Sequence, residues 1–255
     1  MPAGSMRNAY LDALGIDRWV PRDAVESAVD VPAAAAAARV PPASARAPAA
    51  EPVYLPAAPP TPLPPGIDWE PLRERVAGCT LCDLCKTRTQ TVFGVGNRQA
   101  EWLVVGEAPG AEEDRQGEPF VGRAGQLLNA MLLAIGLPRE TVFIANVLKC
   151  RPPGNRDPKP EEVSRCLPYL SAQIALLKPK IILVVGRIAA QNLLATDAPL
   201  ARLRGKVHTF GAANTPLVIT YHPAYLLRTP GDKRKAWDDL KLARATHRNI
   251  AGGGA

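Results

Sequence analysis

The stretch that decides the fold is Trp102-Leu-Val-Val-Gly-Glu-Ala-Pro-Gly110. Its first four residues form a continuous apolar run, which is typical of a strand buried on both faces of a parallel sheet. Glycine and proline then break the strand and leave the carboxylate of Glu107 directly after it. Because ligands bind at the carboxyl ends of parallel strands in open α/β sheets, this stretch predicts both a fold class and one edge of a functional site.

The same pattern recurs three times further along the chain. Short apolar runs cover Val142 to Val147, Ile181 to Val185 and Leu217 to Thr220. Helical patterns flank these runs at about 69–76, 124–135, 160–177, 187–194 and 233–245. Strands that alternate with helices of this length predict an α/β fold, a three-layer αβα sandwich with a central, mainly parallel four-stranded sheet.

The first 66 residues differ in composition from the rest of the chain. Residues 31–65 hold 11 prolines and 13 alanines and almost no large apolar side chains, so they cannot bury enough surface to offset the entropy of ordering. The sequence therefore predicts three segments. They are a short amphipathic N-terminal peptide at 1–30, a disordered Pro/Ala-rich linker at 31–66 and a folded domain at 67–255.

The net charge of +7 is distributed unevenly along the chain. Residues 1–66 carry a net charge of −1, whereas residues 67–255 carry 26 basic and 18 acidic groups, a net charge of +8. Such an excess suits a polyanion such as DNA or RNA, although it also serves solubility. No apolar run is long enough to span a membrane, and the N-terminus lacks the pattern of a secretory signal, which predicts a cytoplasmic protein.

Five cysteines lie in the predicted folded domain, at positions 79, 82, 85, 150 and 166. An odd number of cysteines in a reducing compartment argues against a disulfide framework. Four soft thiolates bind zinc or an iron–sulfur cluster, and a C-x2-C pair with distant partners is a general zinc pattern. The residues alone therefore favour zinc over a cluster.

Three polar residues stand at the ends of predicted strands. Glu107 comes after the first strand, Asn146 lies at the end of the second, and His222 follows the last. Any one of them alone is a weak signal, since a lone glutamate or histidine usually has a structural role. Their common position, together with Phe120 in a glycine-rich loop, predicts one site at that edge of the sheet.

Four motifs carry a resemblance to a known family. They are Gly106-Glu-Ala-Pro-Gly-x-x-Glu-Asp114, Pro119-Phe-Val-Gly122, Asn146-Val-Leu-Lys-Cys-Arg-Pro-Pro153 and His222-Pro-Ala-Tyr-Leu-Leu-Arg228. They closely resemble the motifs of the family 4 uracil-DNA glycosylases, the bacterial and archaeal iron–sulfur type, in order from about Cys79 to Ala243. The resemblance implies an enzyme that flips uracil out of single- or double-stranded DNA and hydrolyses its N-glycosidic bond, which leaves an abasic site and initiates base excision repair.

The resemblance also implies roles for single residues. Glu107 and His222 are the expected catalytic residues, with Glu113 as a rival carboxylate for positioning the attacking water. Asn146 is expected to pair with the edge of uracil, and Phe120 to lie against its face. Further expected substrate-binding residues are Gly106, Ala108, Leu226 and Arg228.

Two of these side chains are expected to hold the DNA rather than the base. Leu226 would fill the gap left by the flipped nucleotide, and Arg228 would meet a phosphate. Other candidates for phosphate contacts, on loops at the same edge, are Arg151, Arg156, Lys159, Arg204 and Lys206.

The resemblance changes the expected use of the cysteines. In that family a [4Fe–4S] cluster is held by four thiolates, which correspond to Cys79, Cys82, Cys150 and Cys166. Hydrolysis needs no electron transfer, so the cluster is expected to stabilise the fold. Cys85 remains as a fifth thiol with the expected role of a small buried hydrophobe.

An alternative is a protein with the same fold that binds uracil-DNA without catalytic turnover. A related branch of the superfamily traps uracil-DNA covalently through a histidine in an inserted loop, whereas residues 149–158 here contain no histidine. A protein that binds uracil-DNA without cleaving it is the other form of this alternative. The resemblance implies a monomer that acts near the bacterial nucleoid. Residues 7–22 faintly resemble a peptide by which a subunit of bacterial DNA polymerase III reaches the clamp loader, which predicts a partner in the replication machinery.

Overall fold

The computed structural model describes residues 63–64 and 66–252 of the 255-residue chain. The predictions for the N-terminal peptide at 1–30, including its replication partner, and for the linker before residue 63 lie outside the described residues. At the end of the predicted linker, the side chain of Leu63 packs against the domain core, as does Ile67. The packed region therefore includes a residue upstream of the predicted boundary at residue 67.

Within the described residues, the chain forms eight α-helices. Their bounds are α1 Trp69–Ala77, α2 Ala111–Gln116, α3 Arg123–Ala134, α4 Pro160–Leu177, α5 Arg187–Leu194, α6 Leu200–Leu203, α7 Pro223–Arg228 and α8 Lys233–Gly252. Local signals place the helix ends: the Asp68 carboxylate accepts the N–H of Trp69 at 2.7 Å before α1, and Pro160 occupies the first position of α4. The longer predicted helices are therefore confirmed, and α8 extends beyond residue 245.

The described residues also contain six strands. Their bounds are β1 Val95–Gly96, β2 Trp102–Gly106, β3 Phe143–Asn146, β4 Ile181–Val185, β5 Val207–Phe210 and β6 Thr215–Thr220. All four apolar runs in the sequence are strands. The sequence gives no signal for β1 and β5, because β1 has two residues and β5 alternates between exposed and half-buried positions instead of forming an apolar run.

One sheet contains all six strands in the order β1-β3-β2-β4-β6-β5. The four central strands are parallel, and β1 and β5 pair antiparallel at the two edges. The prediction of a mainly parallel sheet is confirmed, while its size is corrected from four strands to six. The register pairs Gly106 on β2 with Asn146 on β3, so the residues that end these strands lie side by side at one edge.

Helices cover both faces of the sheet, which confirms the three-layer αβα sandwich. Alternate residues of β2 show the division: Leu103 and Val105 face a core with α1, α4 and α5, whereas Trp102 and Val104 face a core with α3, α7 and α8. None of the helices in the described part of the chain combines the length and apolar character that crossing a membrane requires. This layering leaves the carboxyl ends of the parallel strands open for a site.

Candidate active site

A cavity of about 420 Å³ lies at the carboxyl ends of the parallel strands. Glu107 lines it from the exit of β2, Asn146 from the end of β3, and His222 from the exit of β6. Other residues predicted for the site that also line it are Ala108, Glu113, Phe120 and Arg228. The structure thus brings together side chains that are more than 100 positions apart in the sequence, as the strand pattern predicts.

Gly106 lies directly against the side chains of Asn146 and Phe120. A Cβ atom at this position would clash with Oδ1 of Asn146 and with the ring of Phe120. The absence of a side chain therefore lets the amide and the aromatic ring approach each other across the end of β2. This contact explains why the substrate-site motif requires glycine directly before Glu107.

The turn that carries Phe120 has an unusual backbone conformation. Phe120 has a positive φ of 56°, which is uncommon for an aromatic residue and is held by its surroundings. The guanidinium of Arg139 donates to the carbonyl of Pro119 at 2.6 Å and to that of Phe120 at 3.3 Å. A Cβ at Gly125 would overlap the Phe120 carbonyl, so the first turn of α3 also has to be free of a side chain there. These contacts fix the ring at the cavity wall, where it lies 5.7 Å from the imidazole of His222.

The amide of Asn146 is prepared for a ligand. Its residue is only 2% exposed, and its Oδ1 atom has no hydrogen-bond partner within the described residues. Burying an unpaired amide oxygen costs about 1–3 kcal/mol, so such an atom is rare unless a bound group satisfies it. The structure therefore indicates that a hydrogen-bond donor binds at this position.

His222 is held as a neutral imidazole. Burial and, to a smaller extent, the nearby charge of Arg228 lower its pKa to about 4, against the opposing charge of Glu113. Its Nδ1 atom accepts the N–H of Ala224 at 3.1 Å, because His222 caps the N-terminus of α7. In a neutral ring that accepts at Nδ1, the proton is on Nε2, so the imidazole can donate one hydrogen bond into the cavity.

The carboxyl group of Glu107 has an altered acidity. Burial and, to a smaller extent, the charge of Asp157 raise its pKa to about 7, while Arg187 opposes the shift. At neutral pH this group is close to half ionised, which is the condition that suits a general base. Glu107 therefore has the properties expected for handling the proton of a water molecule.

Glu113 lines the cavity and is also bound to the backbone around it. Its Oε1 accepts the N–H groups of Val121 and Gly122 at 3.0 and 3.3 Å, and its Oε2 accepts the N–H of Gly110 at 3.2 Å. This carboxylate therefore holds the Phe120 turn against the start of α2, and its role as a rival to Glu107 stays a prediction.

The two leucines of α7 differ in exposure. Leu226 is 1% exposed and packs in the core between the sheet and α8, whereas Leu227 is 36% exposed. A buried core side chain cannot move into DNA without opening that core. The burial of Leu226 argues against its predicted role as the wedge, and Leu227 is the exposed alternative on the same helix.

Two predicted phosphate contacts are already occupied within the protein. Arg204 pairs with buried Asp239 at 2.9 Å and lies 4.9 Å from the ring centroid of Tyr221. Arg156 donates to both carboxylate oxygens of Glu162, at 2.5 and 2.8 Å. Arg204 is thus engaged within the protein, whereas Arg156, although paired, still lines the cavity together with the exposed Arg228.

A second cavity contains the cysteines. All five thiols line it, from residues 79, 82, 85, 150 and 166. Two of the sulfurs already accept hydrogen bonds: Cys150 Sγ from the Arg88 guanidinium at 3.0 Å and Cys166 Sγ from the N–H of Lys149 at 3.2 Å. Burial raises the pKa of Cys150 and brings that of Cys166 to about 12, so both are neutral thiols unless a positive group binds.

Cys85 lines the same cavity as the other four thiols. It is half-buried, so its side chain is more exposed than the expected role of a small buried hydrophobe implies.

The roles of two residues near the active site were not predicted from the sequence. Arg139 lies outside the quoted motifs, and nothing in its local pattern shows that it binds the Phe120 turn. Lys149 lies inside a motif but reads as an ordinary surface cation, whereas the structure leaves it 1% exposed. Its position directly after the apolar run of β3 and Val147-Leu148 was the signal in the sequence that this lysine is buried.

Comparison with known proteins now defines the class. A family model described as the uracil DNA glycosylase superfamily matches residues 93–241. The match covers more than half of the chain and includes the ends of β2, β3 and β6 that form the cavity. The chain therefore belongs to the uracil-DNA glycosylase superfamily.

Within that superfamily the chain falls among the type-4 uracil-DNA glycosylases. The protein of that name from Archaeoglobus fulgidus is 48% identical over 172 residues, which are 65% of this chain and 86% of the relative. The one from Pyrobaculum aerophilum is 43% identical over 182 residues, 69% of this chain and 93% of the relative. The one from Thermotoga maritima is 41% identical over 180 residues, again 69% and 93%.

Proposed function

We propose that this protein is a DNA-repair hydrolase that excises uracil from DNA by cleaving its N-glycosidic bond and leaves an abasic site. The observation that carries the proposal is the buried, unpartnered Oδ1 of Asn146 in the cavity that also holds Glu107 and His222. The cavity lies at the edge of a sheet inside the protein, so a base in a DNA duplex reaches it only after it has flipped out of the stack. Membership of the superfamily supports the same reaction.

The hydrogen-bonding pattern of the cavity matches uracil better than cytosine. The Oδ1 atom of Asn146 accepts from the ring N3–H of uracil, and its amide N–H donates to the neighbouring carbonyl O4. Cytosine presents an acceptor and a donor in the opposite order, so it leaves the buried amide unpaired at a cost of about 1–3 kcal/mol. Phe120 lies against the face of the base and leaves little room for the 5-methyl group of thymine.

The other two side chains act on the bond that breaks. Bond cleavage leaves negative charge on the base, and the Nε2–H of neutral His222 donates to its O2 carbonyl. Glu107 orients a water molecule toward the anomeric carbon and accepts its proton, because its raised pKa places that exchange near neutral pH.

The reaction is tested by release of free base from single-stranded oligonucleotides that each contain one uracil, cytosine or thymine in the same context. The proposal predicts release of uracil and retention of the other two bases. Release of cytosine at a comparable rate would contradict the pairing assigned to Asn146. A complex with uracil-DNA that survives SDS would instead favour the covalent trapping alternative.

We further propose that Cys79, Cys82, Cys150 and Cys166 hold a [4Fe–4S] cluster. Two observations support it: the thiols line one cavity, and two of the sulfurs accept hydrogen bonds from N–H donors. The choice of a cluster over zinc rests on the family resemblance of these four positions.

When bound, such a cluster joins the segment before β1, the exit of β3 and α4 through covalent bonds to iron. Its role is therefore structural, since hydrolysis transfers no electron. Iron, sulfide and zinc analysis of purified protein tests the assignment together with its visible absorption. The proposal predicts a brown protein with iron and sulfide in equal amounts, whereas a colourless protein with one zinc per chain would contradict it.

We infer that the DNA partner is bound in either strandedness by a monomer in the cytoplasm. The net charge of +8 on residues 67–255 supports binding through phosphates. Residues 7–22 stay a predicted contact with the replication machinery. A pull-down of clamp-loader components that is unchanged by Trp19→Ala would argue against that contact.

A further inference from the structure

Lys149 is a buried cation that the reaction described above does not use. In the sequence it lies between residues of the two cavities. Asn146, three residues before it, lines the first cavity, and Cys150, the next residue, lines the second. Its side chain is 1% exposed, which is rare for a lysine because removing an ammonium group from water is costly. Such a position needs specific contacts to be stable.

The ammonium group of Lys149 has two neutral acceptors. Its Nζ donates to the backbone carbonyl of Asn146 at 2.8 Å and to Oε1 of Gln173 at 2.7 Å. The Asn146 carbonyl belongs to the last residue of β3, so the Lys149 side chain satisfies a main-chain acceptor at the exit of the strand. The amide N–H of Gln173 donates in turn to the carbonyl of Phe93 at 2.9 Å.

The main chain of Lys149 is fixed as well. Its carbonyl accepts the N–H of Val92 at 2.8 Å, and its N–H donates to Sγ of Cys166 at 3.2 Å. Every polar group of the residue is thus used to join β3, α4 and the segment before β1. Through these contacts Lys149 links α4 to the last residue of β3, Asn146, whose side-chain amide is proposed to pair with uracil.

We propose that Lys149 is a positioning residue for uracil recognition, which fixes the main chain of Asn146 and ties it to the helix that carries Cys166. This inference rests on the proposed function, because it assigns a support to the residue that pairs with uracil. Its consequence is specific. Loss of the Lys149 side chain should slow uracil release through Asn146 and not through a general loss of folding.

A double-mutant cycle between Lys149→Met and Asn146→Ala tests the inference. The measurement is single-turnover uracil release from a single-stranded oligonucleotide, with visible absorption and Tm recorded for each protein. If Lys149 acts through Asn146, Lys149→Met lowers the rate about tenfold in the wild-type background and less than about twofold in the Asn146→Ala background. An equal loss in both backgrounds would overturn the inference.

A control variant separates positioning from stability. Leu177→Ala removes a core side chain from the same helix as Gln173, so it lowers Tm while leaving the release rate within about twofold in both backgrounds. If Lys149→Met does not fold, Gln173→Met takes its place, since it removes one acceptor of Nζ and leaves the lysine. It should show a loss of about threefold that vanishes beside Asn146→Ala, and a persistent loss would again overturn the inference. Absence of uracil release by the wild-type protein would instead contradict the proposed function itself.

Discussion

The two cavities of this protein are built in opposite ways. In the uracil cavity the polar side chains stand at the ends of parallel strands, and the Oδ1 atom of Asn146 has no hydrogen-bond partner within the described residues. In the cysteine cavity the thiols come from a loop, a strand exit and a helix, and two sulfurs accept hydrogen bonds. The sheet itself positions the side chains of the first cavity, whereas the proposed cluster would join the segments of the second. Changes in the first should therefore affect rate, and changes in the second should affect stability.

The largest expected effect is on the rate in the uracil cavity. His222→Ala removes the donor to the departing base, and we expect single-turnover uracil release to fall by roughly 10²–10³-fold. Glu107→Gln should lower it by a similar factor, since it removes the base that accepts the water proton. Both variants should keep the visible absorption and a Tm close to that of the wild type. A Glu107→Gln variant with near wild-type single-turnover cleavage would remove Glu107 from the mechanism.

The next effect is on stability in the cysteine cavity. Cys166→Ser removes a thiolate from the proposed cluster, and we expect loss of the visible absorption and a Tm lower by at least roughly 5 °C, about 2 kcal/mol for a domain of this size. Cys85→Ser is the matched control, because Cys85 lies outside the proposed ligand set. This variant should retain the visible absorption and the Tm. Loss of the chromophore in Cys85→Ser would show that the ligand set contains Cys85.

The pH dependence of the reaction distinguishes the two catalytic groups. Glu107 acts in its ionised form, so activity should rise with pH up to its pKa of about 7. Below that pKa, kcat/KM should fall about tenfold per pH unit, or roughly 100-fold by pH 5. His222 has a pKa of about 4 and stays neutral over this range, so it adds no second ionisation to the pH profile of kcat/KM. A pH profile of kcat/KM for Glu107→Gln checks the assignment, since the same acid limb in that variant would exclude Glu107 as its source.

The smallest effect concerns the two leucines of α7. Leu227→Ala should slow uracil release from duplex DNA by roughly 3–10-fold and leave single-stranded DNA nearly unaffected, because only the duplex leaves a gap to fill. Leu226→Ala should instead lower stability by about 2–5 kcal/mol, as expected for a buried leucine. The comparison of rates on both substrates with Tm decides between them. A duplex-specific loss in Leu226→Ala without a change in Tm would restore the original assignment.

The sequence predicted the uracil cavity well because parallel strands place their ends at a common edge. Glu107, Asn146 and His222 each needed only the position of one strand to be located. The surroundings of Glu113 and Leu226 could not be predicted because they depend on distant contacts: backbone N–H groups near the Phe120 turn in one case, and the packing of α8 in the other. No local pattern contains that information.

The cysteine cavity shows the opposite limit. Spacing alone favoured zinc and gave no reason to separate Cys85 from the other thiols, because all five stand on segments that meet only in the fold. Lys149 escaped for the same reason, since its partners, Gln173 and the Asn146 carbonyl, become neighbours only when α4 packs against β3. Side chains that depend on contacts across the layers are the ones a single sequence predicts least well.

The measurement that tests the central claim most directly is the number of uracil molecules released per protein molecule, with single-stranded uracil oligonucleotide in large excess. The claim is that Glu107, Asn146 and His222 in the uracil cavity form the site of a turnover enzyme. It predicts release well beyond one uracil per protein, with an abasic strand as the other product. Release that stops at or below one equivalent, or no release with a stable complex, would contradict it.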